Sequence, residues 1–223
     1  MRLIAHRGFR SAYPENTIPA AEAAASVADG IELDVRRCQS GELVVIHDEV
    51  VDRVTDSNGA VRDHTRSELE ALDVLETGRG VPTLRETLRT IPDSVGVNVE
   101  LKEWGTEADT IELLESEHSQ AIISSFSRDI LESCQAIDSS IPRAYITDES
   151  ETTAVDTAIE LGCEYLHPSK EICSDRMVAD AHRAGMSVTA WSIDTAAETE
   201  PLDRIGVDGV IANRPDVLAE PMV

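Results

Sequence analysis

Short apolar runs alternate with longer helical patterns along nearly the whole chain, and that alternation narrows the fold more than any other feature. The runs that read as strands are Leu3–His6, Ile31–Val35, Leu43–His47, Val97–Leu101, Ala121–Ser125, Ala144–Thr147, Tyr165–His167, Ser187–Trp191 and Gly209–Ala212. Helical patterns lie between them at Asn16–Ala28, Ser67–Leu72, Leu84–Thr90, Thr106–Glu117, Arg128–Ile137, Thr152–Leu161 and Ser174–Ala184. Strands separated by helix-length connections pair in parallel, because a crossover back to the same sheet edge takes a dozen or more residues. The pattern predicts a parallel sheet covered by helices, and 223 residues suit a single (β/α)8 TIM barrel domain spanning 1–223.

One spacing breaks the rule. Only Arg36 to Glu42 separates the second run from the third, with Ser40-Gly41 as a turn signal. That is too short for a crossover, so the barrel is irregular here or one run is the arm of a hairpin. Local signals support the helices. Thr65-Arg66-Ser67-Glu68 reads as a capping box. The Thr83 hydroxyl is placed to cap the next helix, and Gly185 to end the last. The polar stretch Asp48–Arg66, centred on Gly59, reads as a long loop over one end of the barrel.

Charge excludes whole classes of partner. Asp plus Glu number 43 against 19 Lys plus Arg, a net charge of −24, and Lys occurs only at 102 and 170. Such a surface repels nucleic acid and anionic membranes. An acidic shell nearly free of Lys resembles that of proteins working in molar salt, where charges are screened within about 3 Å, and points to a halophilic source. The four cysteines, at 38, 134, 163 and 173, form no C-x-x-C and read as free, mostly buried thiols. Met1 to Ala5 leads straight into a strand with no signal-peptide pattern, and no apolar run approaches a membrane span. These features predict a cytoplasmic protein with no stable membrane anchor.

Polar residues collect at the C-terminal ends of the strand runs, where barrel active sites form. His6-Arg7-Gly8 ends the first and His47-Asp48 the third, while Trp191 ends the eighth. Glu32 and Asp34 are two apart in the second, as are Glu100 and Lys102 at the end of the fourth, so each pair leaves one face of its strand. Singly, each has an ordinary structural explanation. A strand-end His is usually a satisfied polar residue, Glu100 with Lys102 can be an ion pair, and Trp191 can be core. Together they are harder to dismiss, because like charges pointing into a covered barrel must be paired, protonated or metal-bound. Glu32, Asp34 and Glu100 make an oxygen set for one hard divalent cation, Mg²⁺ or Ca²⁺. Arg7 and Lys102 supply positive charge for a phosphate. Two histidines can serve as base and acid. That combination describes phosphodiester cleavage.

The motifs run in order: His6-Arg7-Gly8, Pro14-Glu15-Asn16-Thr17, Ile31-Glu32-Leu33-Asp34-Val35, Ser40-Gly41, Val44-Val45-Ile46-His47-Asp48, Asp52-Arg53-Val54-Thr55, Val81-Pro82-Thr83-Leu84, Asn98-Val99-Glu100-Leu101-Lys102, Ser124-Ser125-Phe126, Ala190-Trp191-Ser192 and Gly206-Val207-Asp208-Gly209-Val210-Ile211. In this order the chain resembles the glycerophosphodiester phosphodiesterases. The resemblance implies an irregular barrel of the phospholipase C-like phosphodiesterase type and a metal held by Glu32, Asp34 and Glu100. It implies His6 and His47 as the acid–base pair, with Arg7 and Lys102 near the phosphate. Glu15 would support this shell and Trp191 would pack against the glycerol. The implied reaction is metal-dependent hydrolysis of a small glycerophosphodiester to sn-glycerol 3-phosphate and an alcohol. Two departures stand out: Ser192 where relatives often have Thr, and Ala212-Asn213 where they often have Thr-Asp. Neither is expected to touch the metal set or the histidines.

Two other readings bear on the same residues. A lysophospholipase D-type enzyme needs an exposed apolar rim, which an aromatic-poor acidic sequence gives no sign of. A non-catalytic barrel that binds a phosphorylated metabolite would be expected to lose a metal carboxylate or a histidine, and all five are present.

Overall fold

The structure, a computed structural model, describes residues 1–218. Its strands are β1 (Arg2–His6), β2 (Gly30–Arg37), β3 (Leu43–Val45), β4 (Gly96–Leu101), β5 (Ala121–Ser125), β6 (Arg143–Thr147), β7 (Tyr165–Pro168), β8 (Ser187–Ile193) and β9 (Gly209–Ala212). They run in the order β1-β9-β8-β7-β6-β5-β4-β2-β3, and β1 also pairs with β2. That last pairing closes eight parallel strands into a barrel. It leaves β3 as an antiparallel arm on β2, with Val35 opposite Val45. The third run is therefore the hairpin arm, and the other eight close the barrel. β3 stops at Val45, whose N–H turns to the Pro82 carbonyl, so His47 lies beyond a strand rather than at its end.

The helices are α1 (Ile18–Ala25), α2 (Arg66–Ala71), α3 (Leu84–Leu88), α4 (Glu107–Glu117), α5 (Arg128–Ile137), α6 (Glu151–Glu160), α7 (Asp175–Arg183) and α8 (Ala196–Arg204). Capping boxes at Thr65 with Glu68 and at Thr83 with Glu86 start α2 and α3; each such cap is worth about 1 kcal/mol. α1 begins later than its Ala-rich pattern predicts. Asn16 sits at φ 57, outside the right-handed helix region, and Thr17 caps the helix by accepting from the Ala20 N–H. Sequence periodicity missed α8. Pro201 lies inside it, and Thr199 and Leu202 are its buried residues, so there is no apolar stripe to see. Its readable signal was the box formed by Thr195 and Glu198.

Strand alternation decides what faces the barrel axis. Leu3 and Ala5 of β1, Ile31, Leu33 and Val35 of β2, and Val97, Val99 and Leu101 of β4 all belong to the main core between sheet and helices. Their alternates point the other way, and the register sets them level. His6 lies beside Glu32, Glu32 beside Asn98, and Asp34 beside Glu100. A second, smaller core of Cys38, Val44, Ile46, Val51, Val54, Val61, Leu69, Val74 and Val81 lies under β3, the following loop and α2. Residues 38–81 thus form a lobe in place of a simple crossover between β2 and β4.

Candidate active site

The barrel brings Glu32, Asp34 and Glu100 together at its C-terminal face. One carboxylate oxygen from each lies within 4.8 Å of the other two, and all three residues are buried. Lys102 Nζ is 2.9 Å from Asp34 Oδ1 and also bonds Glu100. Arg7 Nε is 3.0 Å from Asp34 Oδ2, its Nη1 donates to Glu15 Oε1 at 3.0 Å, and its main-chain N–H donates to Glu32 Oε2 at 2.9 Å. Arg7 reaches back over the strands because Arg7, Gly8 and Phe9 all take positive φ. Gly8 is required in this turn: a Cβ there would lie 2.8 Å from the Ala20 Cβ of α1.

Burial treats these groups unequally. It opposes ionisation of Asp34, but Lys102 and Arg7 outweigh it and hold the carboxyl below its ordinary range. Burial, then Asp34 and Glu100, push Glu32 well up. Burial and Asp34 raise Glu100 to about 7. A trio that resists its own third charge takes up either a proton or a cation. Glu32 Oε1 is buried and accepts no hydrogen bond. Three carboxylates against two fixed cations leave 2 − 3 = −1 in the site. An all-oxygen donor set with this charge fits a hard divalent ion.

The two histidines stand in different surroundings. Burial, aided by Arg7, pushes His6 down to about 4, so its imidazole is neutral at pH 7. Its Nδ1 donates to Asn213 Oδ1 at 2.6 Å, which leaves Nε2 as the acceptor, 3.9 Å from Glu32 Oε2. This corrects the expectation that the Asn213 departure lies away from the histidines. Asn213 is anchored in turn, its amide donating to Asp194 Oδ1 at 2.8 Å. His47, on the lobe, is more open. Burial lowers it, while Asp34 and a 2.6 Å hydrogen bond from Nδ1 to Asp48 Oδ1 oppose that.

Glu15 lies beside the trio. Burial opposes its ionisation, but Arg53 and Arg7 overcome it and hold the carboxyl below its ordinary range. Arg53 donates to both Glu15 oxygens, at 2.9 and 2.8 Å, and to Asp48 Oδ2 at 2.6 Å. Asn16 donates to Asp34 Oδ2 at 2.8 Å. Asn16, Asp48, Arg53 and Asn213 therefore join the site without having been singled out for it; the signal available was that each sits in one of the ordered motifs or departures.

Trp191 is fixed by its indole N–H, which donates to the His167 carbonyl at 2.7 Å, and Phe126 meets its ring edge-on at 5.5 Å. Phe126 and Trp104 follow β5 and β4 and are 46% and 66% exposed. Exposed aromatic side chains therefore follow two neighbouring strands, where composition gave no sign of them. A cavity of about 490 Å³ opens at the opposite, N-terminal end of the barrel, lined by Arg2, Asn98, His167 and Thr189 among others. It has neither the carboxylate trio nor a pair of histidines, so chemistry rather than volume locates the site. Among the described residues, no helix is long and apolar enough to cross a membrane.

Comparison with known proteins agrees with this geometry. Residues 6–217 match the Glycerophosphoryl diester phosphodiesterase family. A glycerophosphodiester phosphodiesterase of Caldanaerobacter subterraneus is 32% identical, over 97% of this chain and 95% of its own. One from Bacillus altitudinis is 30% identical, over 96% of this chain and 95% of its own. A phosphodiesterase of Oleispira antarctica, solved in complex with the product sn-glycerol-3-phosphate, superposes with a TM-score of 0.89. It is 28% identical and covers 96% of this chain and 94% of its own. A closed barrel, a family match over residues 6–217 and relatives matched along almost the full length lead to one conclusion: this chain belongs to the glycerophosphoryl diester phosphodiesterase family.

Proposed function

We propose that the protein hydrolyses small glycerophosphodiesters to sn-glycerol 3-phosphate and an alcohol, with one Mg²⁺ or Ca²⁺ held by Glu32, Asp34 and Glu100. The observation that carries this is the buried trio, whose third charge is unfavourable until a cation joins it. A cation held by these three carboxylates would draw charge from the phosphate oxygens and would bring the site from −1 to +1, the complement of a phosphodiester anion. Arg7 and Lys102, already aimed at Asp34, orient the phosphate by hydrogen bonding as well as charge.

His6 is the base. It is neutral, with its proton fixed on Nδ1 by Asn213 and its Nε2 lone pair free to take a proton from the attacking oxygen. That oxygen belongs to the neighbouring glycerol hydroxyl, which gives a cyclic phosphate, or to water. His47 is the acid. Its Nδ1–H rests on Asp48, which stabilises the imidazolium and points Nε2–H at the leaving oxygen. Glu15 keeps Arg7 in place. Trp191, braced by Phe126, packs against the glycerol.

The test is glycerol 3-phosphate release from a panel of glycerophosphodiesters in high salt, with Mg²⁺, Ca²⁺ or a chelator. Metal-dependent release establishes the reaction and ranks the alcohols. No release from folded protein under any condition overturns it.

A second reading is favoured by the exposed Trp104 and Phe126. Exposed apolar rings beside the site suit the acyl chain of a lysophospholipid. Choline release from lysophosphatidylcholine exceeding that from glycerophosphocholine would select it.

A further inference from the structure

We infer that Arg53 is a positioning residue for His47, acting through Asp48, and that its guanidinium sets the acid's place relative to the phosphate-binding side of the barrel. The inference rests on the acid–base reading above. A continuous row of charged hydrogen bonds, closed by one ion pair, joins the two sides. His47 donates to Asp48, Arg53 grips Asp48 and both oxygens of Glu15, Glu15 accepts from Arg7, and Arg7 meets Asp34. His47, Asp48 and Arg53 stand on the lobe, whereas Arg7 and Glu15 lie in the segment between β1 and α1, and Asp34 lies in β2.

Two details give Arg53 this task rather than simple charge neutralisation. First, its contacts use three nitrogens in fixed geometry, Nε toward one carboxylate and the Nη pair toward another. A planar fork can set an angle between two carboxylates, which a point charge cannot. Second, Asp48 is the one side chain among the described residues that bonds the His47 ring. Arg36 donates to the His47 carbonyl at 2.9 Å, but that holds the main chain and leaves the ring free to rotate. The ring's orientation therefore depends on Asp48, and that of Asp48 on Arg53. Burial alone does not explain the arrangement, because the Arg53 side chain is 47% exposed. Ion pairs at such exposure contribute little to stability.

In the step concerned, the P–O bond to the leaving alcohol breaks as that oxygen takes the proton from His47 Nε2. His47 is left neutral with Nδ1–H still on Asp48, and regains its proton from solvent. Asp48 and Arg53 change no protonation state. Misplacing His47 therefore matters only when the departing oxygen needs a proton.

The test compares metal-loaded wild-type protein with Arg53→Met, Arg53→Lys and His47→Ala on two substrates. One is glycerophosphoglycerol, whose alcohol must be protonated to leave. The other is a glycerophosphodiester of p-nitrophenol, whose phenolate leaves unaided. Arg53→Met is expected to lose about 10- to 100-fold in kcat on the first, a part of the effect of a general acid, and less than about threefold on the second. Metal dependence should stay unchanged and any change in KM, passed on through Glu15 and Arg7, should be equal on the two substrates, with His47→Ala showing the same selectivity in kcat more strongly. Arg53→Lys is expected to resemble Arg53→Met, since it keeps the charge and loses the fork. Should Arg53→Met fail to fold, Asp48→Asn must show the same substrate selectivity. Equal losses on both substrates, a change in KM alone, or wild-type rates in Arg53→Lys would overturn the inference. If the wild type releases glycerol 3-phosphate from neither substrate, the parent reading fails and this one with it.

Discussion

Two regions supply the candidate site, and they are built differently. Glu32, Asp34 and Glu100 stand on strands of a closed parallel barrel, whose outward faces lock into the main core. His47, Asp48 and Arg53 stand on a lobe with its own small core and little regular structure beyond β3 and α2. Metal ligands must be held within fractions of an ångström, which level positions on hydrogen-bonded strands achieve. An acid that meets a departing alcohol must also let it go, and a region of lower local stability suits that task. On the mechanism proposed above, rigid strands carry the charges that bind, and the lobe carries the group that completes the reaction.

The largest effects should come from the barrel side. Glu32→Ala is expected to lose metal binding and turnover together, read by calorimetric titration of Mg²⁺ and by product release. His47→Ala should lose turnover on alkyl esters by about 10²- to 10⁴-fold while binding metal as before. Wild-type rates in that variant would end its assignment as acid. A third comparison addresses the two cores directly. Leu69 and Leu131 are both fully buried, one in each core. Replacing either with Ala should cost about 2–5 kcal/mol. If the lobe opens on its own, Leu69→Ala will lose activity at a lower urea concentration than it loses circular dichroism. Leu131→Ala will lose both at once. Coincident transitions in Leu69→Ala would show that the two regions unfold as one.

The smallest effect on activity is expected at the far end of the barrel. Burial pushes His167 down to about 3, from an unfolded value near 6.5. A histidine depressed on folding contributes stability that is fully present above pH about 6.5 and is lost as pH falls toward about 3, because the unfolded chain takes up the proton first. His167→Gln should keep its activity and show a flatter fall in melting temperature across that window. The other histidines off the site have local partners of their own, such as His64 at the Ala60 carbonyl and His182 at Asp208.

Most of the barrel was legible, because short apolar runs alternate with helix-length connections and several strands carry polar residues at their C-terminal ends. Every predicted run appears as a strand, and the short Arg36–Glu42 spacing marked the hairpin in advance. What stayed hidden depends on contacts distant in sequence. Asn213 meets His6 across 207 positions. Arg53 meets Glu15 across 38, and nothing local to either residue marks the partner. α8 escaped because its buried side is too narrow to impose a period, and because a proline argued against it.

Lys102 carries a last consequence. It is one of two lysines in a chain of net charge −24, and it is spent inward, on Asp34 and Glu100 at the barrel mouth. The attraction for a phosphate is thus short-ranged, while the long-range field opposes every anionic substrate that approaches. Encounter becomes the step that dissolved salt controls. Added electrolyte should speed capture by shrinking the repulsive zone while leaving the recessed cations effective, so that ionic strength acts here as a gate on access rather than as a competitor for the site.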